Sequence, residues 1–296
     1  MAMVSARGRW RIRLASLVAA LCVAVGAAPE AHAAPAPKYN PPKSVYLALG
    51  DSLAFGYQQA KFNQNLPDED PAVFDTGYVD VFAGELRSIK PRIRIVNVSC
   101  PGETTDSLLG REPCIYHPRF PLHTDYSGSQ IDAALAVLRA NRGQVSPVTI
   151  DIGANDVLVL VHRCTGPTGI DLRCVAAGIP ATFSNIRENL SMILARLRHA
   201  APYTEIIVLG LYNPMAADAP GSDAVAAQLN SILAQTAARY RARFANPLPV
   251  FNPPVNEIAT ICRLTLICTP LHDIHASDLG YRRLADLVLA ASDYRR

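Results

Sequence analysis

Residues 45–57 read VYLALGDSLAFGY. An apolar run of five residues stops at Gly50-Asp51-Ser52, so a small polar residue arrives where a buried strand runs out. Taken alone, Ser52 is ordinary turn chemistry, because Gly and Asp both favour tight bends. Whether it is also a nucleophile displayed at a strand end depends on what the rest of the chain brings to that end.

Short β-rich runs alternate with helical patterns along the whole sequence. Strands are expected at 45–49, 92–98 (RIRIVNV), 148–153 (VTIDIG), 204–211 (TEIIVLGL) and 248–252 (LPVFN). Helices are expected at 77–89, at 129–142 with Ser129 as cap and Gly143 beyond its end, at 182–199, at 224–244 and at 278–291. Such alternation argues for an α/β fold with a parallel sheet covered on both faces. Ligands of such sheets bind beyond the carboxyl ends of the strands, and Ser52 sits at one of these ends.

Three further groups fall at equivalent places. Gly102 lies in the turn after the second strand (NVSCPGETT), Asn155 follows the third (DIGAND), and His275 stands in a loop before the last helix (LHDIHASDLGY). A serine hydroxyl is a weak nucleophile until a neighbouring imidazole takes its proton. The oxyanion formed on attack needs preorganised donors, each worth roughly 3 kcal/mol of transition-state stabilisation. The backbone amides of Ser52 and Gly102 with the side-chain amide of Asn155 would make a three-donor hole. Glycine at 102 lets a substrate approach the backbone with no Cβ in the way.

These blocks carry a resemblance. GDSL at 50–53, Gly102 in its turn, GAND at 153–156 and HASDLGY at 275–281 resemble the successive blocks of the SGNH, or GDSL, hydrolase superfamily, in the family's order. The resemblance implies a three-layer α/β/α sandwich, flavodoxin-like, around about five parallel strands. It implies Ser52 as nucleophile, Ser52, Gly102 and Asn155 as oxyanion donors, His275 as base, and no metal or other cofactor. The substrates it implies are carboxylic esters, thioesters or acyl groups on sugars.

One position departs from the pattern. The family carries a carboxylate three residues before its histidine, where this chain has His272; Asp273 lies two residues before His275. Either Asp273 reaches the imidazole through a bent loop, or the main-chain carbonyl of His272 orients it, or nothing does. Other polar residues near the blocks have plainer readings: Asp51 and Asp156 as structural groups of their turns, Gly153 as a turn former, and Asn155 as a helix cap as well as a donor. His272 and His275 flanking Asp273 lack the third or fourth ligand of a metal site. The run 58–75 reads as a solvated loop, with a lid or acyl-binding wall as its second use.

The amino terminus reads as a secretory signal peptide over 1–33. Arg7, Arg9, Arg11 and Arg13 precede a short apolar core at 14–28, and Ala31-His32-Ala33 supplies a cleavage site. The apolar core falls short of the roughly 20 residues of a membrane span, and this leader has no Arg-Arg pair. Residues 34–43 form a Pro/Ala-rich extended lead-in, and 44–296 form one hydrolase domain. Removing four arginines and Glu30 leaves 24 basic and 24 acidic residues. A chain so balanced has no global electrostatic reason to seek nucleic acid or anionic membranes. Six cysteines remain, an even number in an exported chain, and they fall into three sequence-local pairs: Cys100–Cys114, Cys164–Cys174 and Cys262–Cys268.

The leading expectation is therefore a secreted or cell-envelope esterase or lipase, monomeric, with no stable membrane anchor after cleavage. Its substrate is an ester or acyl compound, small-molecule or lipid. An acyl esterase or acyltransferase on extracellular glycans is the alternative, and a catalytically silent binding protein with the same fold is the third. An α/β-hydrolase is a poor rival, because no G-x-S-x-G elbow occurs.

Overall fold

The computed structural model describes Tyr39 and residues 41–294, apart from 67–69, 118–119, 168, 217–218 and 220. The expected signal peptide and most of the expected lead-in lie outside the described residues.

Strand β1 (Val45–Leu49) is buried along its whole length, with Val45, Leu47 and Leu49 on one face and Tyr46 and Ala48 on the other. It runs into the one-turn helix α1 (Ser52–Phe55), then α2 (Gln59–Asn65), a 3₁₀ turn at Pro71–Phe74 and α3 (Tyr78–Ile89). Strand β2 (Arg94–Asn97) follows, then α4 (Thr105–Leu108) and α5 (Gln130–Ala140), which Ser129 caps by accepting the Asp132 N–H. Next come β3 (Val145–Asp151), α6 (Ala154–Arg163), a small hairpin β4 (Thr165–Gly166) and β5 (Gly169–Ile170), and the long helix α7 (Leu172–Ala200). The chain finishes with β6 (Ile206–Leu209), α8 (Ser222–Arg239), β7 (Arg243–Ala245), α9 (Leu248–Phe251), α10 (Glu257–Leu264), the hairpin β8 (Thr265–Leu266) and β9 (Asp273–Ala276), and α11 (Asp278–Ala291).

The five long-range strands pair in parallel in the order β2-β1-β3-β6-β7. The order reverses between β1 and β3, which opens a crevice at their carboxyl ends. One face of the sheet packs against α5, α7 and α8 through residues such as Ile131, Leu190, Leu194 and Leu233, and the other against α3 and α11 through Phe82, Leu86, Tyr281 and Leu284. This is the expected three-layer sandwich. Among the described residues, no helix is long and apolar enough to cross a membrane.

Three elements differ from expectation. LPVFN is not a strand: Pro249 has no N–H to give a ladder but fits the first turn of a helix, so the segment forms α9. The fifth strand is instead Arg243–Ala245, cut from the end of the expected 224–244 helix and paired with β6 through Ile207↔Arg243 and Leu209↔Ala245. Helix α7 starts well before residue 182, because Asp171 caps it by accepting the Arg173 and Cys174 N–H groups and Pro180 is carried in its interior. All three sequence-local disulfides are formed; Cys164–Cys174 ties the end of α6 to the start of α7, and Cys262–Cys268 ties α10 to the hairpin that follows.

Candidate active site

The nucleophile turn is built by backbone needs. Gly50 has φ +141, and a Cβ there would stand 2.5 Å from Asp151 Oδ1, so no side chain fits. Asp51 caps α1 by accepting the Leu53 N–H at 3.0 Å, which leaves Ser52 as the first residue of that turn. From the end of β3, Asp151 accepts the Asp51 N–H at 3.2 Å and the Tyr78 hydroxyl at 2.7 Å. Gln130 grips Gly50 from both sides, accepting its N–H at 2.7 Å and donating to its carbonyl at 3.0 Å. The same Gln130 amide donates to Glu103 at 2.7 Å, so the Ser52 turn and the Gly102 turn are joined through one side chain.

Gly102 has φ +78, and a Cβ there would meet Ile115 and Tyr116 at 2.9 Å. The Cys100–Cys114 bridge anchors the loop that brings these two residues over the turn. Asn155 stands in the first turn of α6, where Gly153 takes the capping position instead of it. Its Nδ2 donates to the Glu103 carbonyl at 2.9 Å and to Asp51 Oδ2 at 3.2 Å. The next residue, Asp156, turns the other way and accepts the N–H and hydroxyl of Thr105.

His275 does not lie in a loop. It belongs to β9, which pairs antiparallel with β8. Residues two apart in a strand share a face, so Asp273 and His275 point the same way. His275 Nε2 lies 2.9 Å from Ser52 Oγ, and Nδ1 lies 2.5 Å from Asp273 Oδ1. Asp273 also accepts the His275 N–H at 3.1 Å and the Gln59 N–H at 2.8 Å. Burial alone would raise the Asp273 pKa; the hydrogen bond and charge of the His275 ring, with the two N–H groups, outweigh it and hold the carboxyl below its ordinary value. His272, in the left-handed region at φ +46, serves the bend before β9.

The 58–75 run is partly helical rather than an open loop. Its Phe74 is fully buried with Phe55 and Phe120, and its Gln59 steadies Asp273. The cleft above Ser52 holds about 280 Å³. Its walls are largely apolar, from Leu53, Ile115, Tyr116, Leu158, Tyr212 and Ile274. Ser52, Gly102, Asn155, Asp273 and His275 thus converge on one cleft. Asp151, Tyr78, Gln130 and Glu103 were not foreseen: Tyr78 and Gln130 come from outside the quoted blocks, and Asp151 and Glu103, although inside DIGAND and NVSCPGETT, act through contacts with distant residues that no local spacing announces.

The arrangement matches a family defined by such blocks. A model of the GDSL-like Lipase/Acylhydrolase family matches residues 48–283. The chain belongs to that family. It is accordingly a GDSL-type esterase or lipase, an ester hydrolase in general terms. No curated protein matches it by sequence. Among solved structures it is similar to phospholipase A1 from Streptomyces albidoflavus, with TM-score 0.57, 16% identity, and coverage of 84% of this chain and 100% of that one. It is also similar to a lipase from a goat rumen metagenome, at TM-score 0.55, 18% identity and 85% and 98% coverage. The acetylxylan esterase Axe2 from Geobacillus stearothermophilus aligns at TM-score 0.53, 18% identity and 85% and 96% coverage. At these identities the likeness is one of fold.

The carboxyls packed around the family's GDSL turn have a consequence for stability. Burial, then the charge of the neighbouring Asp151, pushes the Asp51 pKa well up, and burial raises Asp151 as well. Burial also lifts Glu103, Asp80 and Glu205 to about 7 each. The unfolded chain releases these protons near pH ~4, the folded chain only near neutrality or above. Between these limits the folded state binds more protons, so stability falls as pH rises. Asp273 and Asp106, held low, act in the opposite sense only below the ordinary carboxylate range. The melting temperature, followed by calorimetry, is expected to be several degrees lower at pH 8 than at pH 5.5. A flat or rising profile would show that these carboxyls are ionised in the fold.

Proposed function

We propose that this chain is a secreted serine esterase that cleaves apolar acyl esters through an acyl-enzyme on Ser52. The observation that carries the reading is the continuous Ser52–His275–Asp273 chain of contacts at the floor of an apolar cleft. Ser52 Oγ attacks the ester carbonyl carbon as its proton passes to His275 Nε2. Asp273, holding Nδ1–H, keeps the tautomer whose Nε2 is free to accept and stabilises the imidazolium that forms. The carbonyl electron pair moves onto oxygen, where the N–H groups of Ser52 and Gly102 and the Asn155 amide receive it. For Asn155 the bond given up is the longer one, to Asp51 at 3.2 Å. Collapse breaks the ester C–O bond, and the leaving alcohol takes the proton from Nε2. Water then repeats the sequence on the acyl-enzyme, releasing the acid and restoring Ser52.

The cleft walls favour aliphatic acyl groups over acetyl groups on sugars: Ile115 and Leu158 stand 63% and 40% exposed and, with Leu53 and Ile274, line it with aliphatic surface. Export is supported by the leader and by three closed disulfides, which persist in oxidising compartments. The test joins a fluorophosphonate probe to a panel of p-nitrophenyl esters from acetate to palmitate. The expected result is one phosphonylated peptide, carrying Ser52, with hydrolysis rising beyond acetate. Absence of both adduct and turnover on folded, oxidised protein would sink the serine-hydrolase reading. A rate confined to acetate would return the glycan reading to first place.

A further inference from the structure

At the amino ends of the strands, opposite the active site, lies a second cavity of about 630 Å³. It is lined by Lys43 ahead of β1, Arg139 and Arg142 at and beyond the end of α5, Arg196 and His199 in the last turns of α7, and Tyr203. Among the described residues, no carboxylate lines it. Among the described residues, none of the five basic side chains has an ion-pair or hydrogen-bond partner. A chain with 24 charges of each sign after its leader has therefore gathered four permanent cations and a histidine around one concavity. Their mutual repulsion is a cost unless something anionic offsets it.

Cations at helix carboxyl ends ordinarily serve to cap them, and two observations remove that explanation. The α5 end is closed by Asn141, whose backbone and side-chain N–H groups both donate to the Val137 carbonyl. The α7 end is closed by the Ala201 N–H on the Leu197 carbonyl, and the carbonyls just past it, of Ala201, Pro202 and Thr204, are taken by the buried Arg198. Arg139, Arg196 and His199 are left over, and Lys43 belongs to neither helix.

We infer that this cavity is a binding site for an acidic polysaccharide, with sulfate, phosphate or carboxylate groups on its sugars. Guanidinium groups match such anions in bidentate fashion. Tyr203, 80% exposed beside them, offers a flat ring to the apolar face of a sugar. The volume lies in the range of small-ligand pockets, about 300–1,000 Å³, and suits a few sugar rings rather than the broad face of a duplex or a bilayer. The placement fits a tether: a chain held at the amino ends of the strands leaves the ester cleft at the carboxyl ends open. A bilayer bound there would hold the cleft away from lipid.

The experiment measures binding of the purified, oxidised protein to dextran sulfate, with uncharged dextran, phosphatidylglycerol vesicles and single-stranded DNA alongside. Dextran sulfate is expected to bind most tightly and uncharged dextran not at all. Combining R139Q, R142Q and R196Q should weaken dextran sulfate binding at least about tenfold, and Tyr203→Ala about threefold. Removing three exposed arginines elsewhere, by R173Q, R187Q and R282Q, should leave binding within about twofold, which separates a site from net charge. Hydrolysis of p-nitrophenyl acetate should be the same in all of these variants. The inference is overturned by absence of binding, by equal losses in the two triple variants, or by tighter binding to vesicles or DNA than to dextran sulfate.

Discussion

Ser52→Ala is expected to lower kcat on p-nitrophenyl butyrate by about 10⁴-fold or more while moving the melting temperature by no more than about 3 °C. The two halves follow from different observations. Ser52 Oγ is the atom facing His275 Nε2 at 2.9 Å, and among the described residues no other hydroxyl shares that contact, so no described neighbour inherits the attack. The side chain carries little of the fold: that one hydrogen bond is worth about 1 kcal/mol, and alanine suits a helical position at least as well. The turn itself is held by its backbone, through Asp51 N–H on Asp151 and Gly50 in the grip of Gln130. Stopped-flow or plate kinetics on both proteins, with calorimetry on the same samples, gives the answer. An unchanged kcat would remove Ser52 from the chemistry. A collapse of both activity and melting temperature would make it a structural residue of the turn.

The parts of this site that could be read in the sequence are those whose geometry is made by adjacent residues. Gly50-Asp51-Ser52 is a turn because Gly50 supplies φ +141 and Asp51 caps the next residues, and both causes lie within four positions. Strand β1 is legible for a similar reason, since burial on both faces demands an unbroken apolar run. What could not be read depends on distant chain. Asp151, Tyr78 and Gln130 meet the Ser52 turn from sequence separations of 80 to 100 residues or through one another, and no local pattern announces them. LPVFN misled because an apolar run with aromatic and β-branched members resembles a strand until the missing proline N–H is counted. The cationic cavity was hidden by addition: a balanced total says nothing about where each sign is placed.

The role of Asp273 shows how a secondary-structure assignment decides a chemical one. A carboxylate three residues before the histidine suits a turn or helix; two residues before it suits a strand, and β9 is a strand. Asp273→Asn is therefore expected to reduce kcat by about 10²- to 10⁴-fold with KM nearly unchanged, because the asparagine amide can donate to Nδ1 and lock the tautomer that carries its proton on Nε2. His272→Ala should stay within about threefold of wild type, since in this geometry Nδ1 bonds the Asp273 carboxylate and not the His272 side chain. The pH dependence separates orientation from stability. With its pKa depressed, Asp273 is ionised throughout the range in which the enzyme would be assayed, so the acid limb of the wild-type rate profile does not report its protonation. Its contribution to folding is complete above the ordinary carboxylate value of about 4 and is lost only as pH falls through the depressed value. Asp273→Asn should accordingly lose rate at every pH from 6 to 9, while the melting temperature drops by only a few degrees, reflecting the weakened Gln59 N–H bond. If Asp273→Asn kept the wild-type rate, the imidazole would be oriented by a group other than this carboxylate, such as a main-chain carbonyl of the bend that His272→Ala leaves in place, and the strand spacing of Asp273 and His275 would be a matter of packing alone.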